Sequence, residues 1–308
     1  MRPIQENVPL APMTTFKIGG PARYFIEAES DEEIQQAVLC ARTKGMPFFI
    51  LAGGSNILFP DETLDLLVIY IKTRKFHFEG SRLVADAGCN LLDLIKHASM
   101  LGLGGWESLS GIPGTIGGAA RGNAGAFGTE IKDVLVSLIA MNSITFETKE
   151  FSNAECDFSY RHSFFKNNPE WIILRGVIEL KKVEAGDSIA LIDNTIIERE
   201  RRHLQNVQAA GSYFTNPVAP VEIQKMFEEE KGVNSRERRV PAGWLIEKVG
   251  MKGAKVGDVI ASEQHPNYLV NTGSAKAAEV VELATKIKAA VFKEFDVVLK
   301  EEAVVLQG

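Results

Sequence analysis

Apolar residues recur three and four apart over 30–44, where Ile34, Ala37 and Val38 form one stripe behind Ser30 and three acidic residues. That spacing predicts a helix, and Ser30 followed by Glu33 predicts a capping box at its start. The same period predicts an amphipathic helix over 91–101, with Leu91, Leu94, Ile95 and Ala98 inward. Shorter apolar runs at 47–51, 66–71, 83–87, 134–141 and 171–180 predict strands, the last two bracketing a polar stretch around Ser159 to Lys166. A helix dense in Glu and Arg is predicted over 189–205. Beyond it come short helices over 221–231 and 242–249, a strand over 268–270, a long helix over 275–294 and a terminal strand over 297–305. The order is mixed α/β, and the change in composition at Gly211 to Pro217 puts a domain boundary near Gln208.

Two segments break this periodicity. Seven of the nineteen residues of SGIPGTIGGAARGNAGAFG, 110–128, are glycine, and AGGSN, 52–56, follows the predicted strand over 47–51. Glycine costs stability through the freedom it gives the unfolded chain. Such density therefore signals positive-φ turns or main-chain amides laid against a ligand. Neither segment fits GxxxxGK[ST] or GxGxxG, so the two familiar phosphate loops are set aside. Ser55, Asn56, Thr115 and Asn123 add hydrogen-bonding groups beside bare backbone, and the pair of loops points to a bound nucleotide-like phosphate.

Composition narrows the field. With 308 residues, 45% of them hydrophobic, the chain has material for about two domains. A formal charge of −6 offers no general attraction to nucleic acid or to an anionic membrane. No apolar run approaches the roughly 18 residues that span a bilayer. The first residues do not lead into a signal-peptide core, so a cytoplasmic location is expected. Cys40, Cys89 and Cys156 are odd in number and widely spaced, which predicts reduced thiols rather than a disulfide framework. The five histidines are scattered and no metal site is expected, while Trp106, Trp171 and Trp244 are expected in cores.

Three polar positions have candidate chemistry. The fork of donors on Arg161 suits a carboxylate or a developing enolate, and Ser212 follows Gly211 at a turn where its hydroxyl can reach a cleft. Glu302 lies in the predicted C-terminal strand, one residue before the apolar run resumes. Taken singly, each has a plainer structural reading: a surface ion pair, a turn residue and a solvated edge.

The ordered set AGGSN, GIPGTIGGAARGNAGAFG, YRHSFFK, AAGSYFTNP, PAGWLIEKVGMKG and EEAVV changes that balance. It resembles the UDP-N-acetylenolpyruvoylglucosamine reductase family from about Thr14 to the end of the chain. The resemblance implies a two-subdomain FAD-binding fold of the vanillyl-alcohol-oxidase type, not a Rossmann fold, with a smaller C-terminal α/β substrate domain. The corresponding spans are 1–75, 76–207 and 208–308. It implies non-covalent FAD held by Gly53, Gly54, Ser55, Asn56, Gly111, Ile112, Pro113, Gly114, Thr115, Gly117, Gly118, Asn123, Ala124 and Gly125. It also implies NADPH as co-substrate, hydride transfer from flavin N5 to C3 of the enolpyruvyl ether, and protonation at C2. Arg161 and a protonated Glu302 would polarise the substrate carboxyl group, and Ser212 would deliver the proton. Tyr160, Asn216, Lys252, His265 and Asn267 fall at substrate-side positions.

The chain departs from the family pattern at Thr215, where a lysine is usual, and Lys252, Arg201 or Arg202 are the candidates to compensate. About thirty residues separate Leu180 from Gly211, too few for the extra tyrosine-bearing loop of the longer subtype. A monomer without nucleic-acid or membrane partners is expected. Two other classes compete: an oxidase of the same flavin superfamily acting on a sugar lactone or 2-hydroxy acid, and a non-catalytic nucleotide-sugar binding protein. The first should lack the ordered Arg161, Ser212 and Glu302, and the second would purify colourless.

Overall fold

The computed structural model describes residues 2–202 and 205–306. The chain divides into two compact units. The first is built from Met1–Val8, Ala22–Gly54 and Asp65–Arg201, and the second from Pro9–Pro21, Ser55–Leu64 and Arg202–Gly308.

The first unit contains two principal sheets. One has the strand order Gln5–Pro9, Pro21–Ala28, Leu64–Ile71, Phe48–Leu51, the last pair running parallel. The other is antiparallel, in the order Thr148–Ser152, Leu135–Asn142, Trp171–Glu179, Arg82–Asp86, Phe76–Glu79. The helix Asp31–Thr43 covers the first sheet. Ser30 caps it from an extended conformation, its Oγ accepting from Glu33 N at 3.2 Å. The Glu33 carboxylate reaches one residue further back than the capping box predicts, to Glu29 N at 2.8 Å. Ile34, Ala37, Val38 and Ala41 are buried with Ile26, Leu67 and Ile69, and with Ile172 and Leu174 of the second sheet.

A second core lies under the helix Leu91–Met100, whose inward Leu91, Leu94, Ile95 and Ala98 match the predicted stripe. Buried Glu107 ties this region together. Its carboxylate accepts from Ser188 Oγ at 2.5 Å and from Gly105 N at 2.8 Å, and Ser188 Oγ lies 2.7 Å from Ser99 Oγ. That anchoring corrects the helix predicted over 189–205, which runs Ala185–Arg201, because Ser188 is committed to the interior and belongs to the helix. Residues 203 and 204 of the expected span lie outside the described residues.

The second unit holds the helices Val221–Lys231, Ala242–Lys248 and Ala277–Phe295 and a three-stranded sheet of Lys255–Val256, Val259–Ala261 and Leu269–Asn271. Its core gathers Trp244, Leu245, Val280, Leu283 and Ile287 around Phe16, Ile18 and Leu58 from the two early segments. The predicted terminal strand over 297–305 is reduced to Val304–Val305, pairing in parallel with Ile57–Leu58. Its side chains do alternate, Val297 and Leu299 buried and Val298 59% exposed, but among the described residues the backbone lacks a continuous ladder partner. Among the described residues no helix is long and apolar enough to cross a membrane. Cys40, Cys89 and Cys156 are all free.

Candidate cofactor and substrate site

The two glycine loops meet backbone to backbone in the first unit. A Cβ on Gly53 would lie 2.7 Å from Gly114 Cα and 3.3 Å from its carbonyl carbon, so Gly53 has no room for a side chain there. Gly54, Gly111 and Gly114 have φ of +61°, +79° and +134°, conformations that glycine adopts without a steric penalty. Beside this contact opens a cavity of about 510 Å³. Ala52, Gly53, Pro113, Gly114 and Thr115 line it with bare or nearly bare backbone, and Lys72 and Arg74 add positive charge. Close-approach backbone beside two cations fits a dinucleotide carrying phosphates. Cys89 also lines the cavity; burial, reinforced by the Asp86 charge, pushes its thiol up to about 11, so it stays protonated near neutrality.

The glycine-rich segment then contains a helix that the sequence pattern does not predict, Ile116–Gly122. Thr115 caps it, Oγ1 accepting from Gly118 N at 3.3 Å. Ile116 N and Gly117 N donate to Cys89 O and Ala87 O, at 3.0 and 2.9 Å. The amides of Ile116, Gly117 and Gly118 are thus engaged inside the unit. Gly117 is small because a Cβ there would come within 2.8 Å of Ala87 Cβ. The helix ends at Asn123, fully buried with φ +43°, whose Nδ2 donates to Ser159 O at 2.9 Å. Ile112 N donates to Leu109 O, and Ala124 N to Ala119 O. Gly125 has Thr129 O 2.9 Å from where a Cβ would be. Burial lowers the pKa of the Arg121 guanidinium at the end of this helix.

Arg161 belongs to the same unit. It sits in a tight turn, with Nη2 donating to Gly125 O at 3.0 Å and the Tyr160 ring centroid 5.3 Å from its guanidinium carbon. Its backbone is left-handed, φ +55°. Lys166, which sequence reasoning did not single out, donates from Nζ to Arg161 O at 2.6 Å.

Ser212 and Glu302 belong to the second unit, which brings them to neighbouring backbone positions. Glu302 N donates to Tyr213 O at 2.7 Å, and Thr215 N to Lys300 O at 2.9 Å. Gly211 has φ +75° with open space around a Cβ, so it is the conformation of this turn, not its crowding, that calls for glycine. Asn267 secures the turn from beneath. It is 2% exposed, its Oδ1 accepting from Phe214 N at 2.9 Å and its Nδ2 donating to Phe214 O at 2.8 Å. Both ends of its amide therefore act on the turn. Burial, and then the Glu301 charge, raises the pKa of the Tyr213 phenol.

Asn56 lies in the segment of the second unit that runs beside Glu302. Its Nδ2 donates to Glu302 O at 3.1 Å, and its carbonyl accepts from Val304 N at 3.0 Å. Asn216 accepts at Oδ1 from Ala242 N at 3.0 Å, at the start of a helix. Lys252 Nζ lies 3.3 Å from Glu247 Oε1, and Arg201 is paired with Glu198 at 2.7 Å. Arg239 donates from Nη1 to Asn216 O at 2.9 Å, which puts a guanidinium beside the motif in which Thr215 stands for lysine. The His265 and Tyr268 rings meet edge to face at 4.8 Å.

Comparison with known proteins agrees with this geometry. Residues 22–143 match the family model described as FAD binding domain, and residues 202–306 match UDP-N-acetylenolpyruvoylglucosamine reductase, C-terminal domain. The chain is an FAD-dependent oxidoreductase of mixed α/β fold, with the non-Rossmann flavin-binding architecture that the motifs imply. A UDP-N-acetylenolpyruvoylglucosamine reductase of Carboxydothermus hydrogenoformans is 37% identical, the match covering 99% of this chain and 94% of that one. One of Pseudomonas putida is 36% identical, covering 97% of each. The crystal structure of the corresponding reductase from Thermus caldophilus aligns with a TM-score of 0.79 at 29% identity, covering 99% of this chain and 100% of that one. The chain belongs to the UDP-N-acetylenolpyruvoylglucosamine reductase family.

Proposed function

We propose that the protein reduces the enolpyruvyl ether of UDP-N-acetylenolpyruvoylglucosamine to UDP-N-acetylmuramate, a step in peptidoglycan precursor synthesis, with NADPH as electron donor. The observation that carries the reading is the side-chain-free contact of Gly53 with Gly114 beside a cavity lined by Lys72 and Arg74. In this reading Gly53 to Asn56, Gly111 to Thr115, Gly117, Gly118 and Asn123 to Gly125 shape the cofactor site. FAD bound there would supply the hydride chemistry between the nicotinamide and the enol ether.

The chain's own residues manage the charge and the proton. Hydride addition at C3 leaves negative charge at C2, delocalised onto the adjoining carboxylate. Arg161 holds that carboxylate with paired N–H donors, and a protonated Glu302 shares the charge. Ser212 delivers the proton to C2; a weakly acidic hydroxyl suffices because the enolate carbon is strongly basic. Tyr160, Asn216, Lys252, His265 and Asn267 bind the substrate or shape its surroundings. The short segment between Leu180 and Gly211 marks the shorter subtype.

Ser212→Ala tests this assignment. Stopped-flow absorbance should show flavin reduction by NADPH at close to the unsubstituted rate and reoxidation by the enolpyruvyl substrate slowed roughly 10²–10⁴-fold, the range of general acid catalysis. Equal losses in both half-reactions would refute the proton-donor role.

A further inference from the structure

We propose that Lys166 is the positioning residue for Arg161, locking the arginine's main chain in its left-handed conformation through the peptide carbonyl. The inference rests on the role given to Arg161 above. A non-glycine residue at φ +55° persists only where its surroundings over-determine the backbone. Here the surroundings can be named. Ser159 N donates to His162 O at 3.2 Å and His162 N returns a bond to Ser159 O at 3.0 Å, closing a turn with Tyr160 and Arg161 at its tip.

The ends of the turn are tied to the glycine-rich segment. Asn123 Nδ2 donates to Ser159 O at 2.9 Å, and Ser163 Oγ donates to Arg121 O at 2.7 Å. Those bonds fix residues 159 and 163. The tip is fixed by Lys166, whose ammonium donates to Arg161 O at 2.6 Å, a charge-assisted bond of the strong class. That carbonyl points differently in left-handed and right-handed backbone, so a bond that holds it opposes the change at Arg161. Lys166 can reach it because the one-turn helix Phe164–Asn167 is itself anchored, with Phe165 buried and Phe164 N bonded to Cys156 O at 2.8 Å. With the carbonyl held, the guanidinium comes to rest against Gly125 O and the Tyr160 ring. Without it, the peptide turns toward the right-handed region and carries the guanidinium off line.

A double-mutant cycle on the FAD-loaded full chain tests the inference. Lys166→Met should leave flavin reduction by NADPH unchanged and slow reoxidation by the enolpyruvyl substrate by about 10²-fold, the scale of a misplacement of about 1 Å. Lys166→Arg, which keeps a charged donor, should restore most of that rate. In an Arg161→Ala background, Lys166→Met should cost nothing further. Equal costs with and without Arg161 would overturn the proposal, since Lys166 would then act on the substrate or the fold directly. Reoxidation at the unsubstituted rate in Lys166→Met would overturn it as well. An Arg161→Ala variant that reoxidises normally would sink the role of Arg161 itself, a different failure visible in the same cycle. If Lys166→Met does not take up flavin, Lys166→Gln carries the same comparison.

Discussion

At the scale of single residues, the glycines do different jobs that composition alone does not distinguish. Gly211 supplies a positive φ in open space, Gly117 supplies clearance against Ala87, and Gly53 supplies a backbone-to-backbone contact with Gly114. Only the last forms a wall of the cavity. Gly53→Ala should therefore act on the cofactor rather than on the chemistry. The added methyl meets main chain at 2.7 Å, which has no rotamer by which to yield. Overpacking of this kind costs about 1–3 kcal/mol, and if the loops part to relieve it, FAD affinity should fall about ten- to a hundredfold. The ratio of flavin to protein absorbance after purification checks this. A fully yellow Gly53→Ala protein with unchanged affinity would show that the contact is not part of the binding surface. Polar residues were harder to read from sequence than glycines. Asn267 is expected from the motif to face substrate, yet each end of its amide bonds the Phe214 main chain, and Lys166 is visible as a positioning group only once Arg161 is seen to be left-handed.

At the scale of elements, what could be read in the sequence followed periodicity. The helices Asp31–Thr43 and Leu91–Met100 have clean apolar stripes and N-caps, and they form where the pattern predicts. The helix Ile116–Gly122 does not, because Gly117, Gly118 and Gly122 hide it behind poor helix propensity. What makes it helical is tertiary: Ile116, Ala119 and Ala120 are buried in the core, and Thr115 caps the start. The signal available beforehand was Thr115 directly after Pro113-Gly114, an N-cap following a turn. Thr115→Ala should lower unfolding free energy by about 1 kcal/mol, measured in urea, with the flavin spectrum retained at saturating FAD. An unchanged midpoint would mean that packing alone holds this helix. The segment 297–305 failed in the opposite sense. Its alternation of buried and exposed residues is real, but among the described residues it pairs with Ile57–Leu58 and through one bridge to Phe214.

At the scale of the whole molecule, the second unit is not a C-terminal fragment. Phe16 and Ile18 are 0% and 1% exposed and Leu58 is 0%, all three in one core with Trp244, Leu245 and Leu283. Thr15 Oγ1 donates to Ala209 O at 2.7 Å and Asn271 Nδ2 to Phe16 O at 3.2 Å, so polar bonds reinforce the apolar ones. A sequence break near Gln208 marks where composition changes, whereas the compact unit recruits residues from the start of the chain, a long-range pairing that no local pattern encodes. A fragment spanning 202–308 should therefore lack cooperative unfolding by circular dichroism. In the full chain Phe16→Ala should cost about 3–5 kcal/mol. A fragment with a sharp melting transition would contradict this view of the core.

The same recruitment constrains how the protein is made. Phe16, Ile18 and Leu58 leave the ribosome well before the residues that bury them, and at about 5–20 residues per second that interval lasts on the order of ten seconds or more. Until synthesis reaches the last helix those apolar groups are without their partners. Nascent chains arrested short of residue 202 should accordingly be the species on which chaperones act.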